Sequence, residues 1–146
     1  MPGGDRSYDS AEASHRALRE IRRELERHPS IATVQGFPSG EFTQVVAQLA
    51  TDRLDVDPGD ATLTVRWFAG ETPDDRPQFS FHVSVGAGDF GWHHEPNPHV
   101  DGWGHFQKRS GSDAPYQYEP FEFSSTNPVR VVWELMDHLS TELGSE

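Results

Sequence analysis

Five of the eight histidines in the chain fall between residues 82 and 105: His82, His93, His94, His99 and His105. Imidazole changes charge near neutral pH, so paired histidines can act as general base and general acid. The sequence around them alternates as strands do. Phe79, Phe81, Val83 and Val85 form one face, and Ser80, His82 and Ser84 the other. Gly86-Ala87-Gly88-Asp89 is a turn and Phe90 to His94 a returning strand. A two-residue loop centred on Ala87-Gly88, the commonest hairpin length, sets Val83 against Trp92 and His82 against His93, with Cβ atoms about 5 Å apart. Pairing the strand 61–69 with 79–85, apolar against apolar, sets Val65 against Val83 and Trp67 against Phe81. Arg66 then stands opposite His82. The expected catalytic row is Arg66, His82 and His93. Two imidazoles with an arginine fork that binds phosphate make a site for RNA cleavage through the 2′-hydroxyl that needs no metal. A slip of one residue would scatter the row.

A second basic spot joins His105 to Lys108 and Arg109. With His99 these residues are the expected substrate-binding set. Trp92, Trp103, Phe106, Tyr116 and Tyr118 supply aromatic rings nearby. The alternative use of the histidines is a divalent metal such as zinc held by His94, His99 and His105. Local geometry opposes the simplest version. His93 and His94 point to opposite faces of a regular strand, and Glu95 and Asn97 each precede a proline that extends them. No H-E-x-x-H motif is present. His15, His28 and His138 read as plain surface residues.

The elements that must position these groups are few. Residues 1–8 read as a disordered tail and 9–146 as a single α+β domain. Asp9 can cap a helix, with Glu12 at the capping-box position and Ala11, Leu18, Ile21 and Leu25 inward, until Pro29 ends it. Arg16, Arg19, Arg22, Arg23 and Arg27 on that helix face Glu12, Glu20, Glu24 and Glu26, most simply as an ion-paired solvated surface. Ile31 to Phe37 reads as a strand. Phe42 to Val56 fits helix or strand; the turn Asp57-Pro58-Gly59-Asp60 favours a strand. Further strands are expected at 105–109 and 121–124. Asn127-Pro128 starts a helix with Val132, Leu135, Met136, Leu139 and Leu143 on one stripe, and Gly144 stops it. The fold predicted is α+β: a largely antiparallel meandering sheet with the N-terminal and C-terminal helices packed on one face and the other face open.

The segment Gly91-Trp92-His93-His94-Glu95-Pro96-Asn97-Pro98-His99, with Phe79-Ser80-Phe81-His82 before it and His105 after it, resembles the TumE-type toxins of toxin–antitoxin pairs. The likeness covers about residues 61–140; the doubled histidine here precedes the prolines. It implies an RNA- or nucleotide-directed enzyme with an antitoxin partner, and His82, His93, His99 and His105 as site residues. Three readings of function follow: a small toxin-like ribonuclease or phosphoryl-transfer protein on the open sheet face, a non-enzymatic protein–protein interaction module, and a histidine-rich metal-binding domain.

Composition describes the solvent more than the partner. Twenty-four acidic residues stand against twelve basic ones, a net charge of −12. Lys108 is the single lysine. The chain resembles haloarchaeal proteins in this, and that resemblance carries no function. At molar salt the Debye length shrinks to about 3 Å, so like-charge repulsion nearly vanishes while acidic groups keep their water. Sixteen aromatic residues can still fill a core. No cysteine is present, so disulfides and thiolate chemistry are excluded. No apolar run approaches the roughly 18 residues of a membrane span, and no basic, apolar leader opens the chain; the expected location is the cytoplasm. This reading predicts that the thermal unfolding midpoint rises as KCl is raised from about 0.1 M to about 3 M, where the Debye length falls from about 10 Å to below 3 Å. A midpoint that falls over that range, followed by circular dichroism, would remove the salt-adapted reading.

Overall fold

Asp9 opens the first helix. Its carboxylate accepts hydrogen bonds from the backbone N–H groups of Ala11 and Glu12 at 3.0 and 3.2 Å, satisfying donors that the first turn leaves unpaired. Helix α1 then runs Ser10–Glu26. The structure is a computed structural model and describes residues 8–52 and 60–144. Glu12 does not close a reciprocal cap but pairs with Arg16 one turn on, at 3.2 Å. Ala17, Leu18, Ile21 and Leu25 are the buried face; Ala11 is exposed.

Seven strands follow: β1 (Ile31–Phe37), β2 (Gln44–Leu49), β3 (Ala61–Phe68), β4 (Gln78–Val85), β5 (Gly88–His94), β6 (Gly104–Arg109) and β7 (Gln117–Pro120), before helix α2 (Pro128–Gly144). They form one sheet in chain order, every neighbour antiparallel. This is the predicted α+β meander. The ambiguous stretch after Phe42 is strand from Gln44 to Leu49. The expected turn at 57–60 lies outside the described residues except for Asp60, and so does the expected tail at 1–7. Tyr8, assigned to that tail, is half-buried and donates its hydroxyl to the Gly70 carbonyl at 3.1 Å.

The expected strand at 121–124 is displaced. Gln117–Pro120 pairs with β6 instead, with His105 opposite Pro120. On this outer strand a proline without an N–H removes no bond from the ladder interior. Phe121 and Phe123 turn inward: Phe123 lies edge-on to Phe79 at 5.0 Å and Phe121 edge-on to His138 at 5.0 Å.

Alternation decides the two faces. Val45, Ala47 and Leu49, then Ala61, Leu63, Val65 and Trp67, then Phe79, Phe81 and Val83, then Phe90 and Trp92 are all buried, and they share one core with Leu18, Ile21 and Leu25 of α1 and Val131, Val132, Leu135, Met136 and Leu139 of α2. Asn127 caps α2 by accepting from Val129 N and Arg130 N at 3.1 and 3.2 Å. The helices are tied to each other where Trp133 donates its indole N–H to Glu24 at 2.9 Å. No helix among the described residues is long and apolar enough to cross a membrane.

The central hairpin turns on Gly86-Ala87, not Ala87-Gly88, because Val85 pairs with Gly88. Gly86 holds φ 59° and no other residue type in the described chain has positive φ. A two-residue hairpin loop with glycine first is the II′ solution. The shift moves the pairing by two residues and so keeps every side chain on its expected face.

Ile21 is fully buried where α1 meets the core. Ile21→Ala is expected to lower unfolding free energy by about 2–5 kcal/mol, whereas exposed Arg19→Ala should stay within about 0.5 kcal/mol. Denaturant unfolding of both variants checks this; equal effects would place the core's weight elsewhere.

Candidate functional site

The even-numbered side chains of β4 and the odd-numbered ones of β5 and β6 emerge on the face away from the helices. The observed registers therefore gather His82, Asp89, His93, His105, Gln107 and Arg109 on that face, beside Tyr116 and with Tyr118 of β7. Asp89 is the hub. Tyr116 donates its hydroxyl to Asp89 Oδ1 at 2.6 Å, Arg109 Nε donates to Oδ2 at 2.8 Å, and His82 Nε2 lies 2.7 Å from Oδ1. The Arg109 guanidinium also lies over the Tyr116 ring, 4.3 Å from its centroid. Burial pushes the Asp89 carboxyl up, but the bonds from Tyr116, Arg109 and His82 outweigh it and hold the group below the usual carboxylate range. Burial, with the bond to Asp89 second, pushes the Tyr116 hydroxyl up, so it remains a donor.

An ionised Asp89 fixes the imidazole tautomers in turn. His82 Nε2–H donates to it, which leaves a lone pair on Nδ1. His93 Nε2 lies 3.4 Å from that Nδ1 and is the donor there. Gly91, opposite His82, makes room for this ring: a Cβ at Gly91 would collide with His82 Nδ1 and the Phe81 carbonyl. His93 stacks nearly parallel on His105, centroids 5.0 Å apart and planes 11° apart. Burial, reinforced by His105 and His82, pushes His93 down to about 3, so at neutral pH it is an uncharged N–H donor.

His105 is fully buried although it sits on the face expected to be open. Its Nε2 lies 3.0 Å from Gln107 Oε1 and 3.5 Å from Asn97 Nδ2. Its Nδ1 is buried with no hydrogen-bond partner among the described residues. The loop between β5 and β6 folds against this end of the sheet: Glu95 N donates to the Trp103 carbonyl at 2.8 Å, and exposed His99 stacks on Tyr118 at 4.3 Å.

Several expectations need correction. His82 and His93 share a face and touch, but as diagonal neighbours: His82 stands opposite Gly91 and His93 opposite Ser80. Arg66 stands opposite Ser80, not His82, and its fork donates to Gln44 at 3.3 Å. It lies on the same face, outside the histidine cluster. Lys108 leaves the expected anion-binding set, because it points to the helix side and pairs with Glu142 of α2 at 2.7 Å. The three histidines of the metal alternative do not converge. His94 lies on the helix side, donates Nδ1–H to the Pro77 carbonyl at 2.7 Å, and lines a cleft of about 470 Å³ with Arg76, Trp103 and Phe123; His99 and His105 lie on the opposite side. Among the described residues no three His, Asp or Glu side chains are grouped to hold an ion. Nor are His15 and His28 plain surface groups. His15 Nδ1 accepts from Phe42 N at 2.8 Å, and His28 Nδ1 accepts from Ser30 N at 3.0 Å beside Trp133. His138 is exposed as expected.

Asp89, Gln107 and Asn97 are the members sequence reasoning missed, while Tyr116, expected only as a nearby ring, is bonded to Asp89. In the sequence Asp89 reads as a turn residue, yet its spacing of two from Gly91 and four from His93 places it on their face. A glycine inside a strand, as at Gly91, marks close approach. No family model, curated protein or solved structure matches the chain.

The buried neutral state of His93 has a consequence for stability. In the unfolded chain this imidazole takes up a proton near 6.5; in the folded protein it refuses one until about 3. Acid therefore favours unfolding across that window. His94, lowered chiefly by burial, acts in the same sense. Stability is expected to fall as pH drops from about 6.5 towards 3, by up to about 1.4 kcal/mol per pH unit for each such proton. His93→Gln should flatten the slope. Thermal unfolding at fixed salt checks this, and an unchanged slope in the variant would show that His93 is not the group responsible.

Proposed function

We propose that the protein is a small, toxin-like acid–base ribonuclease, with His82 as its base. The observation that carries the reading is the unbroken line from Asp89 through His82 to His93. Asp89 orients His82 and leaves the Nδ1 lone pair as acceptor. The contact from that atom to His93 is the one long link, 3.4 Å, against 2.6–2.8 Å for the bonds to Asp89. A substrate hydroxyl would replace that contact: it donates to His82 Nδ1 while the released His93 Nε2–H donates to a phosphate oxygen. In this step the 2′-oxygen loses its proton to His82 and attacks phosphorus. The bond to the 5′-oxygen breaks, and that oxygen takes a proton from solvent. A cyclic phosphate and a 5′-hydroxyl result.

Arg109 supports the phosphate side. Its Nε is committed to Asp89; the rest of its fork has no hydrogen-bond partner among the described residues, and a fork held at one point binds phosphate with less loss of freedom. His99 on Tyr118 supplies a stacked pair at the rim. Arg66 has no part in the chemical step. The roles of the two histidines also differ from a symmetric acid–base couple, since His93 is neutral and acts as a donor without giving up a charge. On the toxin-like reading an antitoxin would cover this face, and the cytoplasm is where both would act. The acidic, lysine-poor surface fits a protein that works in concentrated salt.

Cleavage of a single-stranded RNA is expected to fall by about 10²–10⁴-fold in His82→Ala and by a similar order in Asp89→Asn. His93 keeps one ionisation state from pH 5 to 9, so it adds no limb to the pH–rate profile. A profile in which His93→Gln removes a limb in that range, or His82→Ala activity equal to wild type, would overturn the assignment.

A further inference from the structure

Among the strand residues, carboxylates are nearly absent from one face of the sheet. Following the alternation across all seven strands, the side chains away from the helices are Thr, Gln, Ser, Val, His, Tyr, Pro and Gly, with Arg66, Arg109, Phe37, Phe68 and one carboxylate, Asp89. Asp89 is already held by Arg109, Tyr116 and His82. In a chain with twenty-four acidic residues, the strands thus present a face whose only unneutralised formal charge is positive.

Two of the three large apolar side chains that the described residues leave exposed also sit here: Phe37 at 40% and Phe68 at 39%. The third, Trp133, is engaged by Glu24 and His28. Register ties the two phenylalanines to the histidine cluster. Phe37 pairs with Gln44, Gln44 with Arg66, Arg66 with Ser80, Ser80 with His93, and His93 with His105, so one row crosses six strands. Phe68 lies two residues beyond Arg66 on β3. Strands spaced about 4.8 Å apart put Arg66 roughly 10 Å from His93, a separation that an extended nucleotide chain spans in one or two steps.

We infer that this face, from Phe37 and Phe68 through Arg66 to the histidine cluster, is the track for a single-stranded RNA whose bases stack on the phenylalanines and whose phosphates meet Arg66. Exposed rings on a sheet stack bases of any sequence, and an adjacent arginine follows the backbone. The track rests on the ribonuclease reading for the direction it gives the strand, not for the binding itself. A duplex hides the base faces that the rings need, so single strands are the ligand.

The test separates the two. Anisotropy of a labelled, non-cleavable 2′-O-methyl oligouridylate of about 12 nucleotides is measured with wild type, His82→Ala, Arg66→Gln and the double variant Phe37→Ala/Phe68→Ala, each checked for folding by circular dichroism. Wild type and His82→Ala should bind alike. The double variant should bind at least about tenfold more weakly, and Arg66→Gln should show a shallower salt dependence. Cleavage of a dinucleotide, too short to reach the rings, should be unchanged in the double variant. Equal binding by the double variant, equal affinity for a duplex, or no binding by wild type overturns the track. Normal binding with no cleavage by wild type keeps the track and sinks the ribonuclease. Dinucleotide cleavage with no oligonucleotide binding does the reverse.

Discussion

Gly86 holds its backbone at φ 59°, the left-handed region that side chains with a Cβ resist. With Gly86 in the first loop position, Val85 meets Gly88, and every later pair on the hairpin is set: Ser84 with Asp89, His82 with Gly91, Ser80 with His93. Had the loop centred one residue later, Ala87 would have needed that conformation. The site depends on this choice. Only in the observed register does His82 face a glycine, and only a glycine leaves space for the ring to lie between Asp89 and His93.

The sequence told more about faces than about neighbours. Alternation of period two is insensitive to a slip of two, so Arg66, His82 and His93 all lie on the face expected of them, while each pairing was displaced. That displacement separates Arg66 from His82 and joins His82 to His93 diagonally. Element types were legible wherever caps or turns were explicit, as at Asp9, Asn127 and the 61–94 hairpins. The strand at Gln117–Pro120 was not, because Tyr116 and Tyr118 read as loop aromatics and Phe121 and Phe123 as strand. In the structure the phenylalanines fill the sheet end and the tyrosines take the open face. Asp89 was hidden by its position: an aspartate after Gly-Ala-Gly reads as turn chemistry, and only the register shows it inside the ladder.

Adjacent histidines meet opposite fates by the same alternation. His94 turns to the helix side, where it stacks on Phe79 at 4.8 Å and anchors Pro77. His93 turns outward and joins the cluster. Both are held neutral chiefly by burial, but only His93 lies in line with an ionised carboxylate through another imidazole. His15 accepts from Phe42 N and so links α1 to the chain before β2, while His28 accepts from Ser30 N within its own turn and sets its ring against Trp133 of α2. Counting histidines therefore overstates the site. What distinguishes the functional candidates is the kind of partner: His82 meets the side chains of Asp89 and His93, whereas His15, His28 and His94 each bond a backbone group.

On the proposed salt-adapted reading, the solvent sharpens the same distinction for charges. When the screening length is about 3 Å, only groups in contact still feel one another. The three bonds to Asp89, at 2.6, 2.7 and 2.8 Å, lie inside that length, whereas repulsion among scattered surface carboxylates lies outside it. Such a solvent also weakens phosphate binding, since releasing counterions into concentrated salt gains little. A nucleic-acid surface built for those conditions cannot rely on a broad basic patch. It must take its affinity from stacking, which salt does not screen, and use few cations at fixed points. On the proposed single-strand track, two exposed phenylalanines, one arginine in their row and a second clamped on Asp89 would follow that rule, with Lys108 turned to the helix side and paired with Glu142.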